Sequence, residues 1–191
     1  RNTPPAPVKA CDVAIDAADT PLAAFRLIAL DCLSHLQLNH AGAARSDDAE
    51  YVHQMRVATR RLRAAMRMFG PVLPDGFAGQ LVPPMRELMR ALGQARDLDV
   101  LMAAIVAPVA AALPDEPRLT DLASAITNRL YDARSAIRHT LRQPAYGQLL
   151  LTAASLLQRA PFVEAPAGDE TPSLLEFADR RLRRLLKKIL E

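Results

Sequence analysis

Aromatic side chains are scarce in this chain: they make up 4% of it, with no Trp at all. Single-stranded nucleic acid is held by rings on which successive bases stack, so that mode of binding is poorly supported. Cysteine is nearly absent too. Cys11 and Cys32 form neither a disulfide framework nor a metal-ligand spacing, and Cys32, on an apolar helical face, is expected to be a buried thiol. The 191 residues include only seven Gly, and β-branched runs are few, which points away from sheets. The longest uncharged run, Val100–Pro114, is interrupted by Pro108 and too short to span a bilayer. No charged n-region and apolar h-region follow Arg1, so no signal peptide is visible and a soluble cytoplasmic protein is expected. Lysine is the last scarcity. Of the 24 basic residues, 21 are Arg, whose planar fork matches phosphate oxygens two at a time where Lys offers a point charge.

Hydrophobic residues reach 50% of the chain, with many Ala, Leu and Arg, and their spacing is helical. Residues 1–19, rich in Pro and Ala, read as a linker or the tail of an upstream region. Thr20-Pro21 supplies a helix cap followed by Pro in the first turn, and Leu22 to about His40 carries apolar residues at helical spacing. Gly42–Asp48 reads as a turn before a second helix at about 48–69, which Gly70-Pro71 ends. A third helix is expected over about 77–93, broken at Pro83-Pro84 and ending near Gly93; a fourth then runs to about Leu113. Further helices are expected at about 118–142, from Pro144 to about Arg159, and over 173–190, with a loop at 161–172. The fold class is all-α: an antiparallel helical bundle with a basic groove lined by the 48–69 helix.

That second helix is the most informative stretch. At 100° per residue, Arg56, Arg60, Arg63 and Arg67 fall within roughly 80° of arc on the side of His53, while Met55, Ala58, Leu62, Ala65, Met66 and Phe69 lie opposite. The row extends about 21 Å along the axis. Like charges at i,i+4 repel by a few tenths of a kcal/mol per pair, and Tyr51–Phe69 contains no acidic residue to offset this. A line of guanidiniums therefore points to a linear polyanion, unless carboxylates of other helices neutralise it.

Other chemistries fit less well. His35 and His40 are five residues apart and point different ways, and His53 has only Arg neighbours, so no metal site is expected. No nucleophile–base constellation and no phosphate loop is present; Asp97 and Asp99 stand beside Arg96 and read as structural ion-pair partners. The expected role is binding without catalysis and without a cofactor. A nucleic-acid backbone is the rival polyanion, but a helix reading the major groove would mix Asn, Gln or Ser among its arginines.

The segments VHQMRVATRRLRAAMRMF (52–69) and ALGQARDLDVL (91–101) together resemble the CHAD family, the conserved histidine α-helical domain. The resemblance implies a helical domain over 20–191, with a first four-helix repeat at 20–160 and the start of a second at 173–191. It implies binding of inorganic polyphosphate, at polyphosphate granules, around a basic groove or pore. By motif position His53, Arg56, Arg60, Arg63 and Arg67 match the first basic helix and Arg96 the second motif. Arg180, Arg184 and Lys187, on the basic side of the last helix, are expected to assist. The resemblance also implies a second His/Arg helix beyond Glu191, and an alternative role as the accessory domain of a CYTH-type triphosphatase.

Overall fold

The computed structural model describes residues 4–159 and 172–190, apart from the Lys188 side chain. The loop expected at 161–172 lies outside them except for Pro172. The described residues are helical, with no strand among them: α1 (Pro21–Arg45), α2 (Ala49–Phe69), α3 (Phe77–Leu101), α4 (Ala107–Ala112), α5 (Pro117–Arg142), α6 (Pro144–Gln158) and α7 (Leu174–Leu190). A 3-10 turn, Gly70–Val72, follows α2, and a π-helical turn, Met102–Val106, joins α3 to α4.

The caps are those that the sequence provides. The Thr20 hydroxyl accepts from the Ala23 amide at 3.2 Å, and the Asp48 carboxylate accepts from Glu50 at 2.9 Å to start α2. Two helices run further than their sequence implies. Helix α1 passes through Gly42, where a Cβ would come within 2.0 Å of the Tyr51 ring. Glycine at 42 therefore serves the close approach of α1 and α2, not a turn. Helix α3 is continuous through Pro83, Pro84 and Gly93, so neither the expected break nor the expected end is found. Its buried Leu81, Met85, Leu88 and Leu92 tie both halves to the core, and packing outweighs the weak local propensity.

Helices α1 and α2 pack antiparallel, with Phe25 beside Phe69 at one end and Gly42 beside Tyr51 at the other. Helices α2 and α3 do the same: Phe77 shares the Phe25 end, and Gly93 and Asp97 meet Arg56. Helices α5 and α6 close the bundle against α1 and α3. Phe77, Phe25, Phe69 and Phe177 form a chain of rings with centroids 5.4–5.8 Å apart, which seats α7 on the C-terminal end of α2. Such pairs add about 0.5–1.5 kcal/mol each beyond the area they bury. Cys32 is buried as expected, and that burial pushes its thiol up to about 11.

The segment read as a linker has no regular secondary structure, yet part of it lies along α1 and α2. Asn39, fully buried, accepts from the Val8 amide at 3.0 Å and donates to the Val8 carbonyl at 2.9 Å. Nε2 of His35 is 3.0 Å from both the Val8 carbonyl and Gln54 Oε1; both are acceptors, so this nitrogen carries the proton. Gln54 donates onward to Glu50 at 2.6 Å, and the Tyr51 hydroxyl donates to the Pro5 carbonyl at 2.7 Å. Arg61 reaches the Cys11 carbonyl at 3.4 Å.

Candidate anion-binding site

Helix α2 buries Met55, Ala58, Leu62, Ala65, Met66 and Phe69, and this fixes which residues face outward. Arg60, Arg63 and Arg67 emerge together, exposed, around an open groove of about 570 Å³ that Val57, Arg61, Ala64 and Met89 complete. Among the described residues none of these three arginines is paired with a carboxylate. Among the described residues these three are therefore not neutralised from neighbouring helices as a structural network would be.

The ends of the row differ from its middle. Arg56, half-buried, lies across Gly93 of α3, and its Nη2 is 3.9 Å from Asp97. Asp97 is 76% exposed, so this contact is weak and leaves the guanidinium able to meet an anion. His53, half-buried one turn earlier, has its Nδ1 sealed from water with no hydrogen-bond partner among the described residues. Arg96, half-buried on α3, makes no ion pair among the described residues and does not line the groove.

Arg180 and Arg184 are exposed on α7 and stand outside the groove wall. Arg180 donates to the carbonyl of Glu176 in its own helix at 3.3 Å, and Lys187 is likewise exposed. What connects α7 to the row is Arg181, which donates to the Met68 carbonyl at 2.9 Å and the Arg67 carbonyl at 2.7 Å. These carbonyls belong to the last turn of α2, where helical acceptors are otherwise unmet and the dipole is negative. Arg181 and Phe177 thus bring the basic side of α7 to the Arg67 end.

The structure thus gathers Arg60, Arg63 and Arg67 at one groove, sets Arg56 and His53 in line with them, and leaves Arg96, Arg180, Arg184 and Lys187 off its wall. Sequence reasoning missed Arg61, Met89, Gly93 and Arg181. None of these carried a signal that was read correctly: Gly93, inside the second motif, reads as the end of a helix. Arg61, beside Arg60 in sequence, turns instead to Asp31 at 2.9 Å, with both paired atoms closed to water.

Two further acids pair with arginines of α5. Asp99, 8% exposed, pairs with Arg134 at 2.9 Å, and Asp47 at the head of α2 pairs with Arg138. Among the described residues no three His, Cys, Asp or Glu side chains could hold a metal ion together. No helix among them is long and apolar enough to cross a membrane.

The family model of the CHAD domain matches residues 27–191. The crystal structure of the CHAD domain from the plant Ricinus communis is similar over 97% of this chain, with 32% identity and a TM-score of 0.76; 60% of that chain is covered. No curated protein matches.

Proposed function

Because the chain belongs to the CHAD domain family, we propose that it binds inorganic polyphosphate on the basic face of α2, without acting on it chemically. The observation that carries this reading is the convergence of Arg60, Arg63 and Arg67 on one open groove, with no carboxylate partner among the described residues. Each guanidinium can give a charge-assisted, two-pronged hydrogen bond to phosphate oxygens. Successive contacts lie one helical turn apart, which suits a charge repeated along a chain and not a single small anion. Arg56 and His53 extend the line at one end, and Arg180, Arg184 and Lys187 add positive potential at the other. Arg96 contributes from α3 to the same field.

The reading has a consequence for salt dependence. Affinity falls steeply with salt, because counterions released on binding must be recovered, as for nucleic acids. In the cell the reading places the chain at cytoplasmic polyphosphate granules. The direct test is competition for the protein between long polyphosphate, duplex DNA and orthophosphate at two salt concentrations. Long polyphosphate wins at both under this reading. Equal displacement by DNA would move the assignment to a general phosphate-backbone binder.

A further inference from the structure

We propose that Gly93 is a positioning residue for this site: the side chain it lacks leaves room for the Arg56 guanidinium to lie across α3, already set for an anion. The inference rests on the reading of the α2 face as a polyphosphate site. Gly93 is buried midway along α3, where alanine would be the better helix former. A Cβ at this position would stand 2.8 Å from Arg56 Nη1 and 3.9 Å from its Cζ, and no atom of any other residue packed there comes within 4 Å. The backbones of α2 and α3 therefore do not require glycine here. Only the head of Arg56 does.

Asp97, one turn further along the same helix, lies 3.9 Å from Arg56 Nη2, so α3 meets the guanidinium at two points. Arg60 and Arg63 stand exposed with no ion pair among the described residues, and an anion must order them as it binds. Ordering a rotamer-rich side chain opposes binding, and Arg56, half-buried against α3, has less of that freedom left to lose than the exposed Arg60 and Arg63. Arg56 is thus the pre-set contact, from which a phosphate chain can run on to the flexible arginines of the groove.

The test is Gly93→Ala, compared with Arg56→Ala, with the double variant and with Arg60→Ala/Arg63→Ala, each read by thermal midpoint and by affinity for long-chain polyphosphate. The methyl group meets the far end of a flexible side chain, so the helix keeps or gains stability while the guanidinium is displaced. We expect Gly93→Ala to hold or raise the midpoint and to weaken binding about threefold to tenfold. The double variant should bind as weakly as Arg56→Ala alone, because nothing remains for the methyl to displace. Unchanged binding in Gly93→Ala beside a loss in Arg56→Ala overturns the inference, as do additive losses or a lowered midpoint, which would make Gly93 a packing residue. Unchanged binding in Arg60→Ala/Arg63→Ala fails the site itself, a different result from the failure of Gly93.

Discussion

On the side of α2 that faces α1, Tyr51, Gln54 and Arg61 each find an internal partner, in the segment around residues 5–11, in His35 or in Asp31. On the other side Arg60, Arg63 and Arg67 find none among the described residues, although they belong to the same helix and lie within two turns of Arg61. The contrast is instructive because both sides are equally polar in sequence. Polar groups that are sealed from water must be matched inside the fold, since each unmatched one costs about 1–3 kcal/mol. Groups that remain in water can be left unmatched at little cost, as Arg60, Arg63 and Arg67 are among the described residues. The first side helps to hold the domain together; the second leaves its guanidiniums in water.

The comparison breaks most visibly at Asn39. Replacing it with Ala removes both hydrogen bonds to Val8 and leaves the half-buried Val8 amide unmet, while the Val8 carbonyl keeps His35, and we expect stability to fall by about 2 kcal/mol in denaturant titration. Polyphosphate affinity should stay as it was, because Asn39 lies on the internal side. A loss of less than about 1 kcal/mol would mean that the N-terminal segment is no part of the domain.

His40 of α1, stacked on Tyr146 of α6 with ring centroids 5.2 Å apart, gives a smaller effect within the internal packing. Burial, and then Arg45, hold its pKa below the usual 6.5, so the folded protein prefers the neutral ring. The stability this provides is full above about pH 6.5, the unfolded value, and is lost as pH falls below it, because the unfolded chain then takes up the proton first. Thermal midpoints between pH 8 and pH 5 should drop less steeply in His40→Gln than in the parent. An equal slope would place the acid sensitivity elsewhere.

The smallest effect is expected on the open side. Arg63→Ala removes repulsion from Arg60 and Arg67 and should alter stability by no more than about 0.5 kcal/mol, toward the more stable side. A loss above about 1 kcal/mol would show Arg63 to be a structural cation after all.

Much of this was legible in the residues. The cap at Thr20, the 3.6-residue period of α2 and the helical character of α7 follow from local chemistry, and the apolar face of α2 is buried as the spacing implies; the apolar side of α7 is buried only at Phe177, with Leu175, Leu182, Leu186 and Ile189 exposed. Gly93 was misleading for a physical reason. Propensity alone treats a glycine as an end, whereas here it is a gap into which a side chain of another helix fits. The docking of residues 5–11 left no periodic trace, because backbone groups accept Asn39 and His35 whatever side chains the segment carries. Arg181 could not be told from Arg180 and Arg184 without knowing where α7 sits, since its role depends on the carbonyls at the end of α2.

The most direct measurement is the polyphosphate-binding isotherm of Arg60→Ala/Arg63→Ala beside the unaltered chain, taken across a salt series. Charge-assisted contacts of this kind are worth about a factor of ten each, so we expect about hundredfold weaker binding. The slope of log affinity against log salt should also become shallower by about 0.7 for each arginine removed. Helicity should be unchanged and the unfolding midpoint held or slightly raised. An isotherm and a salt slope that match the unaltered chain would contradict the assignment of the α2 face as the binding site.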